Sequence, residues 1–362
     1  MPPDASPRRP PPPDEWRRWA AQCRLMGVEP AEIRRHLEHH GYDADAELEA
    51  LESHPYLEVA DWMAQRLRKL ESILDVQNDL ARIGEDASAI ARRRRPSAHE
   101  FLVEFYARNR PVVLEGALDQ WPALLRWTPE YLASRCGDAI VDIMDGREDG
   151  GHHQHYVKGR PRAVRLRDYV EMVRSSGSTN RFYLVATNDF LQRPEVASLW
   201  EDIGPLPGFL DESRRLQGGS FWFGPAGTIT PLHHDTLNIW FVQVAGRKTF
   251  TLFPPTQTHL LYNDLNLFSE VDVEQPDFDR FPRYARATPL VVTLEPGQTL
   301  FLPVGWWHHV RALDVSISLS FTNFAFPNTY QWKNPMIDID VNSLTKSSNP
   351  QILKSGPQIL KS

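Results

Sequence analysis

The segment Thr230–Asn238, TPLHHDTLN, contains the residues whose types and spacing best fit metal chemistry. His233 and Asp235 stand two positions apart in it, ahead of the apolar run 239–244. Residues at i and i+2 of a β-strand project from one face, so both side chains can bind the same ion. An HxD triplet alone is weak evidence, since about one is expected by chance in a chain of this composition.

Two further features strengthen the metal hypothesis. The pair His308-His309 follows the run FLPVGWW, where we expect the end of a strand, and Lys248 opens a β-type run. Two neutral imidazoles and one carboxylate form the facial triad that leaves open positions on Fe(II). A nearby ammonium supplies the point charge that a dicarboxylate co-substrate needs in a partly dry pocket.

The residue pattern after Pro96 indicates β-strands that could position these residues. Short β-type runs alternate with glycine and proline turns, which is typical of a sandwich or barrel rather than a βαβ sheet. The sequence therefore predicts a double-sheet jelly roll over about residues 100–326. The predicted strands are 111–114, 139–143, 181–186, 220–223, 238–244, 248–253, 290–294, 299–302 and 315–321.

Three segments carry a family resemblance: TPLHHDTLNIWFVQVAGRKTFTLFPP, RPVVLEGALDQWPALLRWTPEYL and LEPGQTLFLPVGWWHHV. They resemble the JmjC/cupin-like Fe(II)/2-oxoglutarate-dependent oxygenases, most closely the hydroxylase branch that includes the hypoxia-factor asparaginyl hydroxylase. The resemblance covers roughly residues 98–326. It implies a mainly β fold, a double-stranded β-helix (jelly roll, cupin-like), with an α-helical N-terminal region in front of it.

The resemblance also implies roles for individual residues. His233, Asp235 and His308 would be the iron ligands, with His309 facing the other way. Lys248 would bind the distal carboxylate of 2-oxoglutarate, and Thr230 and Tyr183 would add hydroxyl hydrogen bonds. A further group completes the expected site: Asn238 and Ser320 as co-substrate contacts, with Asn323 as the alternative to Ser320, and Trp222, Trp240, Trp307 and Asn323 as substrate-pocket residues. No catalytic residue is expected beyond these metal and co-substrate residues.

The implied reaction is hydroxylation of a peptide or protein side chain by O2, with decarboxylation of 2-oxoglutarate to succinate. An RNA nucleoside or a small metabolite remains open as the substrate. A non-catalytic cupin-like binding module is the rival from another class. A histone-type lysine demethylase is less expected, because no reader module is evident in the sequence.

The predicted domains are a Pro-rich disordered tail (1–14), a helical region (15–95), the catalytic domain (96–326) and a C-terminal tail (327–362) that ends in a duplicated PQILKS. Apolar spacing predicts helices over Glu15–Met26, Ala31–His40 and Leu57–Ile83. The apolar face of the last helix must dock on the main domain or on a second copy, so a homodimer remains open.

Composition limits the expected binding partners and the expected cellular location of the protein. A net charge of −7 gives no global attraction for nucleic acid, and the run Arg92–Arg95 is interpreted as a solvated linker. Two cysteines cannot form a disulfide framework, and no apolar run has the length of a membrane span, so a cytoplasmic protein is expected. The tract Gly150–His155, GGHHQH, is interpreted as a surface loop near the site rather than a second metal site.

Overall fold

The computed structural model describes residues 9–84, 89–147, 159–185, 189–263 and 267–330. The chain divides into two compact units between Asp79 and Leu80. Among the helices in these ranges, none combines the length and the apolar character needed to cross a membrane. Helices and strands are numbered here in chain order, and the first unit is helical: α1 Asp14–Leu25, α2 Pro30–His39, α3 Ala44–Glu52 and α4 Pro55–Ala81.

Local signals set the ends of the N-terminal helices. Pro30 occupies the first turn of α2, where its missing N–H costs nothing, and Gly41 ends that helix with φ of +82°. The Asp43 side chain accepts from the N–H of Ala46 and caps α3. α1, α2 and α4 match the predicted helices to within about two residues, which is the normal scatter of helix ends, whereas α3 was not predicted. The small core contains Ala20, Cys23, Ile33, Leu37, Ala44 and Leu48.

The second unit contains the β-structure and several short helices. Its strands are β1 Ala91–Arg94, β2 Val112–Glu115, β3 Ile140–Asp145, β4 Arg160–Arg165, β5 Phe182–Tyr183, β6 Gly219–Gly224, β7 Ile229–His234, β8 Ile239–Ala245, β9 Lys248–Phe253, β10 Leu290–Leu294, β11 Thr299–Leu302, β12 Trp307–Ala312 and β13 Ser316–Phe321. Its α-helices are α5 Ala98–Phe101, α6 Ala123–Arg126, α7 Pro129–Cys136, α8 Leu166–Ser175 and α9 Arg215–Gly218.

Two main sheets form the jelly roll. One has the order β1-β2-β11-β8-β13-β6, the other β10-β9-β12-β7, and a three-stranded sheet, β4-β3-β5, adjoins them. Side chains from both main sheets share one hydrophobic core, for example Val113 and Phe241 from the first with Phe250 and Val310 from the second. The sheets therefore pack face to face. The predicted fold, a mainly β double-stranded β-helix with an α-helical N-terminal region, is confirmed.

The arginine run belongs to the larger sheet. β1 pairs in parallel with β2, from Ala91 opposite Val112 to Arg94 opposite Glu115. Carboxylates of the same unit lie beside its side chains, since Arg92 bonds to Glu115. The interpretation of this run as a solvated linker is therefore wrong. The three arginines of β1 are compatible with an edge strand because each charge can reach solvent or an acidic side chain at the edge of the sheet.

A second core lies on the outer face of the larger sheet. Phe101 of α5 is fully buried there, and its ring lies 5.4 Å from Trp240 and 4.9 Å from Phe301. Edge-to-face contacts of this kind add to the free energy gained from burial. The helical segment before β2 is thus tied to the larger sheet.

Truncating Phe101 tests this core. Phe101→Ala should lower the free energy of unfolding by about 3–5 kcal/mol, because the cavity left in an aromatic cluster collapses only in part. Denaturant unfolding followed by tryptophan fluorescence measures the change. Leu125→Ala, at a side chain that is 92% exposed, is the control and should shift stability by less than about 0.5 kcal/mol. Equal losses of unfolding free energy in the two variants would contradict the assignment of Phe101 to this core.

Candidate metal centre

The pairing of β7 with β12 brings two histidines together. His233 stands directly opposite His308 in the antiparallel ladder, and their ring centroids are 4.0 Å apart. Residues opposite each other in a ladder project from the same face of the sheet. His308 lies near the start of β12, not at the end of a strand as the sequence suggested. Its neighbours Trp307 and His309 project from the other face.

A bulge in β7 places Thr230 on the same face as His233. The register runs from His308 opposite His233 to Val310 opposite Thr230, so two residues of β7, Pro231 and Leu232, face one residue of β12. A bulge shifts the side-chain alternation by one, and proline suits it because it has no N–H for the ladder. Three-residue spacing would otherwise put Thr230 and His233 on opposite faces.

Asp235 completes the set one residue after β7. One carboxylate oxygen is 3.4 Å from His308 Nε2 and the other is 4.0 Å from His233 Nε2. Ligand atoms of all three residues lie within 4.8 Å of one another. The Gly305 N–H donates to the Asp235 carbonyl, which ties this turn to the segment before β12. An ion with bonds of about 2 Å can therefore reach all three side chains.

The hydrogen bonds of the two rings fix their donor atoms. His233 Nδ1 lies 2.8 Å from the Pro231 carbonyl, and His308 Nδ1 lies 3.1 Å from the Trp306 carbonyl. A carbonyl only accepts, so each Nδ1 carries a hydrogen, which leaves Nε2 as the atom of each ring that can bind a metal. Burial, with His233 nearby, holds the pKa of His308 well below its usual value, so this ring is neutral. Two neutral imidazoles and one carboxylate fit Fe(II).

Lys248 projects from the same face of the same sheet. It pairs with Ala312, two pairs beyond Val310 in the register with β12. Its Nζ donates to the Tyr183 hydroxyl at 2.8 Å and lies 5.4–5.9 Å from the rings of Tyr183, Trp222 and Phe241. Burial lowers the pKa of Lys248 to about 7. No carboxylate in the described part of the chain forms an ion pair with it, so an anionic ligand fits beside it.

Ser320 rather than Asn323 lies beside this pocket. The Trp222 indole donates to Ser320 Oγ at 3.1 Å. Ser320 faces Phe241 in the ladder of the larger sheet and shares its inner face. The Asn323 amide instead donates to the Asp211 carbonyl, beyond the end of β13. The structure therefore favours Ser320 of the two alternatives, and the placement of Asn323 in the substrate pocket is wrong.

Two of the tryptophans expected in the substrate pocket are elsewhere. Trp240 is fully buried on the outer face of β8, against Phe101 and Phe209. Trp307 is also fully buried, and its indole donates to Thr258 on the face opposite His308. In both strands, alternate residues project from opposite faces, and each tryptophan occupies a position that faces away from the site. Of the three expected tryptophans, only Trp222 lies beside Lys248.

Asn238 has a structural role instead of a co-substrate contact. Its Oδ1 accepts from the Val304 N–H at 2.7 Å, and its Nδ2 donates to the Tyr330 hydroxyl at 2.8 Å. The Asn328 side chain bonds both the N–H and the carbonyl of Asn238. These bonds hold the turn after Asp235 against the segment that leads to His308. Its assignment as a co-substrate contact is therefore wrong.

Two further aromatic residues lie at the site. Phe241 faces Lys248 from β8. Phe268, which was not predicted, stacks on His233, with ring centroids 5.1 Å apart and planes at 22°. Nothing in the sequence signals Phe268, which comes from the long connection between β9 and β10. The predicted tract Gly150–His155 lies outside the described residues.

Comparison with known proteins now places the chain in a family. A family model described as a cupin-like domain matches residues 98–326, which is more than half of the chain. The chain belongs to this cupin-like family. The match has the same bounds as the resemblance found in the sequence and covers the jelly roll with its three candidate ligands.

Three relatives of this cupin-like protein show how far the similarity extends. It is 34% identical over 244 residues to "Lysine-specific demethylase 8" of Xenopus tropicalis, covering 66% of this chain and 53% of the relative. It is 30% identical over 242 residues to "Lysine-specific demethylase JMJ30" of Arabidopsis thaliana, covering 64% and 54%. It is 30% identical over 251 residues to "JmjC domain-containing protein D" of Dictyostelium discoideum, covering 62% and 54%.

The chain thus spans about half the length of the curated relatives it matches. The assignment to the JmjC/cupin-like group is confirmed. These relatives do not select the asparaginyl hydroxylase branch within it, and two of the three are named lysine-specific demethylases.

Metal titration tests the three candidate ligands. Asp235→Ala should weaken Co(II) binding more than about 100-fold, because it removes the carboxylate of the three candidate ligands. Loss of a group that only hydrogen-bonds to a metal ligand typically costs about 10–100-fold. Isothermal calorimetry and the visible absorption of Co(II) measure it. His234→Gln is the matched control, since His234 packs on Trp307 on the other face. Equal Co(II) affinities in the two variants would remove Asp235 from the site.

Proposed function

We propose that this protein is an Fe(II)/2-oxoglutarate-dependent dioxygenase that hydroxylates a peptide or protein side chain and converts 2-oxoglutarate to succinate. One observation carries the proposal: the His233–Asp235–His308 set and the buried ammonium of Lys248 occupy the same inner face of one sheet. A scaffold without turnover has no use for both an open triad and an uncompensated buried cation. The family match supports the same conclusion.

Each residue then has a task. His233, Asp235 and His308 would hold Fe(II) from one side, and Lys248 with Tyr183 would bind the distal carboxylate of 2-oxoglutarate. Fe(II) with 2-oxoglutarate and O2 supplies the oxidising power for C–H hydroxylation, with loss of CO2. A second group of residues shapes the pocket: Thr230 and Ser320 offer hydroxyls, while Trp222 and Phe241 exclude water from the ammonium.

The substrate class is the finer part of the proposal. The names of two relatives refer to lysine demethylation, which favours a protein substrate. Hydroxylation of a side-chain carbon leaves one added oxygen atom on the product, as in the hydroxylase branch that the sequence resembles. Hydroxylation of an N-methyl carbon instead gives a carbinolamine, which breaks its C–N bond to release formaldehyde and the free amine. This demethylation is the second candidate function. The family match, with β1 added, also supports a catalytic domain close to the predicted residues 96–326.

The buried ammonium predicts how co-substrate binding depends on pH. Without an anion beside it, Lys248 is protonated below its pKa of about 7 and neutral above it. The dicarboxylate binds the protonated form, so affinity should be constant below that pH and fall by up to about tenfold per pH unit above it. Calorimetric titration of the Co(II)-loaded protein with 2-oxoglutarate measures the profile. Lys248→Met should weaken binding at low pH and remove this dependence. If the affinity of the variant for 2-oxoglutarate depended on pH as in the wild type, Lys248 would not be the group that binds the distal carboxylate.

Turnover assays separate the candidate functions. The Fe(II)-loaded protein, with ascorbate and 2-oxoglutarate, is expected to form succinate that depends on a peptide from a library of unmodified and methyl-lysine sequences. Mass spectrometry then distinguishes the gain of one oxygen from the loss of a methyl group with formaldehyde. His308→Ala should abolish both signals. Succinate formation with nucleosides or small metabolites alone would move the substrate out of the protein class, and absence of any turnover would favour the binding module.

A further inference from the structure

Helix α4 leaves a broad apolar surface open. The side chains that form it, here called the α4 stripe, are between 47% and 79% exposed. They are Tyr56, Val59, Trp62, Met63, Leu67, Leu70, Ile73, Val76, Leu80 and Ile83. Single exposed apolar residues are normal on a protein surface, but a contiguous set of this size marks an interaction site.

The opposite side of α4 contacts α1. Arg68 donates from there to the Leu25 carbonyl at the end of α1. Leu57 and Ala64 are partly covered on that side, and Asn78 is buried. Nothing in the described ranges covers the α4 stripe. The less exposed residues of α4 thus lie on the side away from the α4 stripe.

The α4 stripe repeats every seven residues. Tyr56, Met63, Leu70 and Gln77 form one row, and a second row follows three residues later: Val59, Arg66, Ile73 and Leu80. Rows spaced by three and four residues over four heptads are the pattern of a coiled coil. Two polar residues interrupt the rows, Arg66 in one and Gln77 in the other.

Arg66 and Gln77 favour one orientation of a second α4 helix over the other. In a parallel pair in register, Arg66 would face Arg66 of the other copy, and two guanidinium groups would share an apolar seam. In an antiparallel pair, Arg66 faces Gln77 of the other copy. The same register sets Leu70 against Ile73 and Met63 against Leu80, with Leu67 beside Leu74. Within residues 62–81, each polar residue of the two rows then meets a polar one and each apolar residue an apolar one, so this part of the helix is complementary to itself.

We propose that two copies of this chain associate through their α4 stripes as an antiparallel coiled coil. The overlap runs over residues 62–81, about 30 Å of helix. The interface is isologous, with each contact made twice around a two-fold axis. This inference does not depend on the chemistry of the jelly roll.

The mass of the full chain in solution tests the association. Light scattering should give twice 41.6 kDa at micromolar concentration. Leu70→Glu should raise the dimer dissociation constant by at least about tenfold, because it places charges in the apolar seam. Ser72→Glu adds the same charge at an exposed position outside the α4 stripe and should leave the dimer intact. Circular dichroism confirms that both variants keep their helices.

Cysteine crosslinking tests the orientation. Under mild oxidation the double variant Arg66→Cys/Gln77→Cys should give a disulfide-linked dimer, and the single variant Arg66→Cys should not. A dimer from the single variant would show parallel helices and overturn the register. A monomer at micromolar concentration, or a dimer that Leu70→Glu leaves unchanged, would overturn the proposal itself. The wild-type cysteines, Cys23 and Cys136, are buried and do not interfere.

Discussion

The antiparallel pairing of β7 with β12 is the constraint on which the site depends. His233 and His308 are far apart in sequence, and only the ladder between these strands places their rings 4.0 Å apart. The bulge at Pro231 then brings Thr230 to the same face, and Lys248 reaches it from the next strand. A slip of one residue in this register would send His308 to the face that His309 now occupies.

Charge inside the jelly roll is the second constraint. Removing an ammonium from water is costly unless another group compensates it, and the described contacts of Lys248 are a phenol and three aromatic rings. A dicarboxylate ligand would supply the missing charge and gain affinity from the same dry surroundings. The buried ammonium is thus an unfavourable feature that a dicarboxylate ligand would offset, which is the physical reason to connect the lysine with the triad beside it.

Sequence reasoning found what local patterns and rare residue types encode. The strands 248–253, 290–294 and 299–302 have the predicted ends, and the three candidate ligands meet as expected. It failed where long-range pairing decides the outcome. The strand at Ala91–Arg94 exists because β2 offers an edge, and arginines give no β signal of their own. Trp240 was assigned to the pocket although it packs on the outer face of β8, because the parity of this strand depends on its partners. Phe268 reaches His233 through a connection whose path no periodicity reveals.

The protein combines a cupin-like jelly roll with N-terminal helices that the family match does not cover. Anomalous diffraction from crystals soaked with Co(II) tests the central claim of the metal centre most directly. We expect one strong anomalous peak at about 2 Å from His233 Nε2, His308 Nε2 and a carboxylate oxygen of Asp235. A main peak elsewhere, or a peak bound by His309 or His234 in place of His308, would contradict it.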